Sequence, residues 1–251
     1  MRQGILPFLG SERGQTIIWW LGVVIVLALA ANQLRDLNWA AVAPSWFFLL
    51  KAFGRSWLLA ITSISIGAAI AVPLAVMRVY GPPGIRHFAV ALIEAVRATP
   101  ELMILFWVYF TLPLVIDTQV SAWDAGLAAL VVVAAASLAE VIRAGLYSVP
   151  SGQMEASRSS GMSPFQTFRY VILPQALRNM VPALIAQLVA LFKTTSLVYA
   201  IGVMDFFRAV TVTGSAVYAP YALYFILAAG YFVSCFTITR VARRFDPKYQ
   251  L

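Results

Sequence analysis

Six apolar stretches, each long enough to cross a lipid bilayer, constrain this chain more than any other feature. They lie near residues 15–34, 56–78, 88–114, 124–147, 179–201 and 219–240. A helix needs roughly 20 mostly apolar residues to span a hydrocarbon core of about 30 Å. Because 61% of the 251 residues are apolar and only 11% are charged, a water-soluble fold would expose large apolar patches. The sequence therefore predicts an all-α, polytopic helical bundle in a membrane.

Basic residues are distributed unevenly along the connections between these stretches. With the N-terminus placed in the cytoplasm, twelve of the eighteen Lys and Arg residues fall on the cytoplasmic side. They are Arg2, Arg13, Arg78, Arg86, Arg143, Arg158, Arg169, Arg178, Arg240, Arg243, Arg244 and Lys248. The asymmetry follows the positive-inside rule and predicts a multi-pass protein with both termini in the cytoplasm. Since the basic residues flank apolar stretches and form no separate face, the net charge of +8 indicates contact with membrane lipid and not with nucleic acid.

No set of catalytic residues stands out in the sequence. A Gly-rich phosphate loop ending in Gly-Lys-Ser/Thr is absent, so the chain is not expected to hydrolyse ATP itself. The single cysteine, Cys235, lies inside the last apolar stretch, which excludes an intramolecular disulfide and indicates no metal cluster. A proton-coupled secondary transporter with Glu94 or Glu140 as the proton carrier is an alternative, but the inverted repeats typical of such transporters are not evident.

A polar segment, residues 151–174, separates the fourth and fifth apolar stretches. Gly161 follows a short run compatible with a helix, at the position where a C-terminal cap needs a positive φ. Ser163 and Gln166, with a proline directly after the serine, form a helix start signal in which the two side chains cap each other's backbone. Pro174 is expected to end the second helix, so that the chain turns before it re-enters the bilayer. The pattern predicts a helix–turn–helix loop.

Charged residues also occur inside the apolar stretches, where a charge costs about 2.5 to 3.5 kcal/mol on insertion. Glu94 and Arg97 lie three residues apart on one helix face, and Pro100 is expected to bend the third stretch just after them. These two residues either contribute to a ligand site beside the bend or form an ion pair near the cytoplasmic interface. Glu140 and Arg143 repeat the spacing, and a structural pair is expected there because Arg143 can extend to the headgroups.

The fifth stretch carries a polar cluster of Lys193, Thr194, Thr195 and Ser196, with Gln187 a turn and a half earlier. Lys193 lies about 21 Å from the cytoplasmic start of this stretch at 1.5 Å per residue, past the midplane. The cluster either lines a polar pocket or links helices by hydrogen bonds, and the pocket is the preferred interpretation.

Several motifs, taken in order, are similar to those of a known family. The segment from Glu155 to Pro174, with Gly161 at the expected spacing, resembles the EAA loop of bacterial ABC importer permeases. Further motifs resemble successive signatures of the polar amino acid uptake branch (His/Glu/Gln/Arg/opine): RATP at 97–100, EVIRAG at 140–145, SGQ at 151–153, PQA at 174–176 and KTTSL at 193–197. The match covers about residues 45–240, and within the branch the chain looks most like glutamate/aspartate permease subunits.

Four positions depart from the pattern of that family. Ser157 replaces the second alanine of the EAA triplet and Ser160 replaces a usual leucine, while Ala186 stands where many relatives have asparagine and Thr194 where they have aspartate. Because the last two bear on the expected pocket, permeases for basic or for neutral polar amino acids remain alternatives to one for acidic amino acids.

The resemblance implies a five-helix type I importer permease core in the bacterial inner membrane. Residues 45–240 would form this transmembrane domain, including a coupling loop at 148–178. Residues 1–44 would supply a cytoplasmic tail, an extra transmembrane helix and an outer linker, and residues 241–251 a cytoplasmic tail.

The resemblance also implies partners and roles for particular residues. The partners would be two ABC ATPase subunits that bind ATP and Mg²⁺, a second permease subunit (another chain or a second copy), an external solute-binding protein and an amino acid substrate. The chain itself would bind no cofactor and would not be an enzyme. The expected ATPase-coupling residues are Glu155, Ala156, Ser157 and Gly161. The expected substrate path comprises Arg97 and Lys193 as partners of carboxylates, with Thr99, Gln187, Thr195 and Ser196 as hydrogen-bond donors.

Overall fold

The computed structural model describes residues 37–242, so the apolar stretch expected at 15–34 lies outside the described residues. Within 37–242 the chain is helical apart from short connections and contains no strand, which confirms the all-α prediction. In chain order the helices are α1 (Trp39–Val42), α2 (Trp46–Tyr80), α3 (Pro83–Ala98), α4 (Glu101–Ile116), α5 (Ala122–Tyr147), α6 (Ser151–Ser159), α7 (Pro164–Ile201), α8 (Phe206–Ala216) and α9 (Pro220–Ala242).

Four of these segments are long and apolar enough to cross a membrane, namely α1 continued by α2, α5, α7 and α9. The third apolar stretch is a broken span, because α3 and α4 meet at an angle of 104°. Each of the two has 16 residues, or about 24 Å, and is too short to cross alone. The predicted bend at Pro100 is therefore a break. Thr99 adopts an extended conformation with φ −95° and ψ 135°, as the residue before a proline prefers.

The core of the bundle is the packing of α5 against α2. Small residues allow the two helices to approach closely, as they do between membrane helices. A Cβ added at Gly67 of α2 would lie 2.6 Å from the Ala134 Cβ of α5. Ala71 of α2 and Ala139 of α5 are fully buried in the apolar cluster between these two helices. Residues of α3, α4 and the end of α7 pack into the same cluster. α5 is thus the central helix of the described fold.

A second apolar cluster joins α8 and α9 to the beginning of α2. α8 lies between the two apolar stretches expected at 179–201 and 219–240. Its N-cap is Asp205, whose carboxylate accepts hydrogen bonds from the Phe207 and Arg208 amides at 3.2 and 2.9 Å. The Phe206 amide donates to Ser56 Oγ on α2 at 3.0 Å. An aspartate N-cap is a signal that sequence inspection can detect.

The prediction that Pro174 ends the second loop helix is wrong, because α7 continues through this proline into the membrane. Residues Thr167–Ile172 form a π-helical turn, and the Leu173 amide donates to the Phe168 carbonyl five residues earlier. Pro174 then occupies the start of the next α-helical part, where a missing amide is tolerated. The wider turn absorbs the proline, since π-type insertions change the direction of a helix without ending it.

Candidate functional site

The C-terminal end of α6, in the helix–turn–helix loop, has the geometry of a Schellman motif. Gly161 has φ +78°, and its amide donates to the Arg158 carbonyl at 2.9 Å. The Met162 amide donates to the Ser157 carbonyl at 3.1 Å. These bonds satisfy carbonyls at the end of a helix of only nine residues, and they confirm the predicted cap at Gly161.

The start of α7 carries the predicted capping box. The Gln166 amide donates to Ser163 Oγ at 3.3 Å, and the Ser163 amide donates to Gln166 Oε1 at 2.8 Å. A single residue, Met162, separates the two caps. The turn between α6 and α7 is therefore fixed from both sides.

Ser157 holds the two arms of the loop together. It is only 5% exposed. Its Oγ donates to the Met154 carbonyl at 2.8 Å and is hydrogen-bonded to Thr167 Oγ1 of α7 at 3.1 Å. Ser157 therefore lies on the inner side of the loop. The other expected coupling residues are exposed, namely Glu155, Ala156 and Gly161.

Further contacts attach the loop to the spans on either side. Asn179 Nδ2 of α7 donates to Ser148 Oγ, just after α5, at 2.8 Å. Gln175 Nε2 donates to Gln153 Oε1 at 3.3 Å. The rings of Tyr80 at the end of α2 and Phe168 meet edge to face with centroids 6.2 Å apart. These contacts connect the loop to α7 and to the ends of α2 and α5.

The two ion pairs expected from the sequence form a single network. Arg97 Nη1 lies 3.4 Å from Glu94 Oε1, and Arg143 Nη2 lies 2.5 Å from Glu140 Oε1. Arg78 of α2 joins them, with its Nη1 2.9 Å from Glu94 Oε1 and 3.2 Å from Glu140 Oε2. Sequence reasoning missed the part played by Arg78. Glu94 thus contacts Arg78 and Arg97, and Glu140 contacts Arg78 and Arg143, an arrangement that fits a structural role for both pairs.

The start of α4, just after the break between α3 and α4, contacts the polar cluster of α7. This contact was not expected from the sequence. Thr194 Oγ1 donates to Glu101 Oε2 at 2.9 Å, across 93 residues of sequence. Arg97 and Thr99 lie just before Glu101 in the chain, and Lys193 lies beside Thr194. The structure thus brings together the two chain segments that carry the expected halves of the substrate path, through the contact between Thr194 and Glu101.

The hydroxyl groups of this region donate to their own helices. Thr99 Oγ1 donates to the Ala95 carbonyl at 2.8 Å, Thr195 Oγ1 to the Phe192 carbonyl at 2.8 Å, and Ser196 Oγ to the Lys193 carbonyl at 2.9 Å. Such bonds occupy the hydroxyl proton and leave the oxygen as an acceptor. These hydrogen bonds direct the three hydroxyl groups at backbone carbonyls, and the expected role of the three residues as hydrogen-bond donors to a substrate stays a prediction.

The remaining members of the expected path differ in exposure. Arg97 and Lys193 are exposed, Gln187 is half-buried and Thr195 is fully buried. Gln187 lies seven residues before Thr194, which places the two on the same face of α7 about 10 Å apart. Among the residues that the structure describes, no group of three or more His, Cys, Asp or Glu side chains is arranged to hold a metal ion.

The stability of the protein is expected to depend on pH through the buried carboxyl group of Asp205, which lies between α7 and α8. Burial raises the pKa of Asp205 from 3.8 to about 6, although hydrogen bonds from the Arg208 and Phe207 amides and the charge of Arg208 lower it. The native state therefore binds a proton more readily than the unfolded chain. Stability should decrease as the pH rises from about 4 to 6, by on the order of 3 kcal/mol in total.

Asp205→Asn keeps an oxygen for the cap and removes the charge. We expect the difference in thermal unfolding temperature between the wild type and this variant in detergent to change across the pH range 4 to 7, with the wild type relatively weaker at pH 7. A constant difference across this range would contradict the prediction.

Comparison with known proteins agrees with the fold and the motifs. Residues 63–251 match the family described as binding-protein-dependent transport system inner membrane component, and the chain belongs to this family. Its members are components of membrane transport systems and not enzymes. The recognition of an importer permease from the sequence motifs is confirmed, as is its location in an inner membrane.

Two named relatives and one solved structure are similar to this chain over most of its length. The chain is 33% identical over 186 residues to the glutamate/aspartate import permease protein GltK of Escherichia coli, covering 71% of this chain and 83% of GltK. It is 32% identical over 205 residues to the probable glutamine ABC transporter permease protein GlnP of Bacillus subtilis, covering 80% and 93%. A crystal structure of an amino acid ABC transporter with histidines superposes with a TM-score of 0.79 at 30% identity, covering 85% of this chain and 99% of that one.

Proposed function

We propose that this chain is the permease subunit of an ATP-driven amino acid importer, with both termini and the coupling loop, residues 148–178, in the cytoplasm. One observation carries the proposal. α7 is a continuous helical segment of 38 residues that begins in the doubly capped loop and contains Thr194, which contacts Glu101 at the break between α3 and α4. A displacement of the coupling loop is transmitted along this helix to the substrate path.

In this proposal the loop docks onto a partner ATPase. Two such ATPases bind ATP and Mg²⁺ and supply the energy, while a second permease and an external solute-binding protein complete the importer. Glu155, Ala156 and Gly161 form the exposed contact surface, and Ser157 keeps that surface rigid from inside. Alternating access then follows because nucleotide-driven contacts bias the permease between two states.

The charges of the substrate path favour an acidic amino acid. Arg97, which also pairs with Glu94, and Lys193, next to Thr194 in the chain, provide two cations, and Glu101 provides one carboxylate. Glutamate and aspartate carry two carboxylates and one ammonium group, so their charges are complementary to these three side chains. The hydroxyl oxygens of Thr99 and Ser196 add acceptors for the ammonium group. A neutral polar amino acid is the second candidate, supported by the 32% identity to a glutamine permease.

Substitution of Lys193 tests the substrate. Lys193→Ala should lower ATP-dependent glutamate uptake at least tenfold and glutamine uptake less, with normal protein abundance, because a charge-assisted hydrogen bond is worth roughly 1.5 to 3 kcal/mol. The measurement is uptake into vesicles that contain the complete importer and its binding protein. Lys51→Ala, at an exposed lysine of α2, is the matched control and should leave uptake unchanged. Equal losses of glutamate uptake and abundance would instead indicate a packing role for Lys193.

The same vesicles test the class of transporter. Uptake should require ATP and the binding protein and should survive collapse of the proton gradient. Uptake that stops when the gradient collapses, in the presence of ATP, would support the secondary-transporter alternative.

A further inference from the structure

An apolar groove of about 780 Å³ runs along the outside of the described bundle between α2 and α9. One wall is the first two turns of α2, where Trp46, Leu49, Leu50 and Phe53 line the groove. These residues are spaced i, i+3, i+4 and i+7, so they form one continuous stripe on the helix. Trp46 and Leu50 are 58% and 56% exposed, whereas Leu49 is buried, so the described residues leave the outer part of this stripe uncovered.

The other wall is a second stripe on α9, which includes Phe225, Ala229 and Val233 at intervals of four residues. Phe206 of α8 lies between the walls and comes so close to Gly230 that a Cβ there would lie 2.6 Å from the phenylalanine ring. Two neighbouring helices that present apolar stripes, with small residues on one wall, form the kind of surface that receives a third helix.

The chain itself supplies a segment that fits. Residues 15–34 are apolar and of the length that crosses a bilayer. Five residue steps separate residue 34 from Trp39, so the end of the segment lies within about 18 Å of Trp39. Trp39 itself lines the groove. We propose that residues 15–34 form a helix that docks in this groove, antiparallel to α2.

The short tether explains why this segment would occupy the groove in preference to lipid or to another copy of the chain. A tethered segment binds intramolecularly, at an effective concentration in the millimolar range for short linkers. Lipid chains match the apolar walls in chemistry, but they lack the rigid shape that packs between two helix stripes. The extra helix thereby covers the face of α2 and α9 and fixes α8, which carries the buried Asp205, against them.

Disulfide cross-linking in the intact membrane tests the position of the segment. The Trp39 and Phe225 rings are 6.4 Å apart, so these two residues lie at one level, and Val233 lies about 12 Å further along α9. A helix that runs back from residue 34 reaches this depth near Val26. The single native cysteine is first removed by Cys235→Ser. Val233→Cys is then combined in turn with one further cysteine at each of positions 24–29 of the full-length chain, and each double-cysteine variant is mildly oxidised.

Cross-links within one chain are expected at positions spaced three or four residues apart and at least five times more efficiently than at the positions between them, because a disulfide requires Cα atoms within about 7 Å. Phe232→Cys, at a residue 69% exposed and outside the groove, is the matched control and should cross-link poorly with all six. Cross-links between two chains through Val233→Cys would overturn the proposal in favour of an interface between copies. Absence of a cross-link at every position, or equal cross-linking with Phe232→Cys, would overturn it in favour of a lipid-filled groove.

Discussion

Gly161→Val is expected to reduce ATP-dependent uptake at least tenfold while the protein stays in the membrane at normal abundance. Gly161 has φ +78°, and a Cβ added there would meet no atom within 4 Å. The cost is therefore conformational and not steric. A left-handed conformation costs about 1 to 2 kcal/mol for an ordinary residue and more for a β-branched one. A cost of 1.4 kcal/mol lowers the equilibrium ratio of competent to incompetent loop conformations tenfold.

Two matched substitutions separate this conformational effect from a general effect on the loop. Gly161→Asn should retain most of the activity, because asparagine tolerates the left-handed region. Gly152→Val places the same side chain in the same loop, again with no atom within 4 Å, but at an ordinary helical φ, and it should retain uptake. The measurement is uptake together with the ATP hydrolysis that the binding protein stimulates. Normal coupling in Gly161→Val, or an equal loss in Gly152→Val, would contradict the role of the Gly161 cap.

Arg78→Gln is expected to destabilise the protein by about 1 to 3 kcal/mol, between the values for exposed and buried ion pairs. The Arg78 side chain is 15% exposed and contacts carboxylates on α3 and α5. Its removal leaves Glu94 and Glu140 with one arginine each. Thermal unfolding in detergent measures the loss, and Arg86→Gln, at an exposed arginine of α3, is the control and should cost less than about 0.5 kcal/mol.

A double-mutant cycle tests whether Arg78 acts through its partner. Arg78→Gln combined with Glu140→Gln should cost less than the sum of the two single variants, with a coupling energy of 0.5 kcal/mol or more. Additive losses would show that the contact between Arg78 and Glu140 contributes nothing measurable.

The caps of the helix–turn–helix loop and a change of direction at Pro100 could be predicted because their causes are local, whereas the size of that change, a break of 104°, could not. A glycine with positive φ, a serine–glutamine capping box and a proline each act within four residues of the backbone. The i, i+3 pairs of Glu94 with Arg97 and of Glu140 with Arg143 are local in the same sense. For Pro174 local reasoning gave the wrong answer, because a π-helical turn at Thr167–Ile172 accommodates the proline.

The contacts that join distant parts of the chain could not be predicted. Arg78 appears in the sequence as one of many basic residues that flank a span, and only the packing of α2 between α3 and α5 places it between two glutamates. The Glu101–Thr194 hydrogen bond closes across 93 residues, and no periodicity specifies that pair. The Ser157 side chain is buried because α6 packs against α7, so its orientation likewise could not be predicted from the loop motif.

The sequence alone thus determined that this is a helical membrane protein with a capped loop between two spans, because apolar length and backbone chemistry are properties of short segments. The tertiary structure alone decided which charges meet, which hydroxyl oxygens remain as acceptors, and that one continuous helix connects the loop to the broken span. The physical reason is that these features depend on the relative positions of helices, and those positions are set by the close packing of small residues such as Gly67 against Ala134.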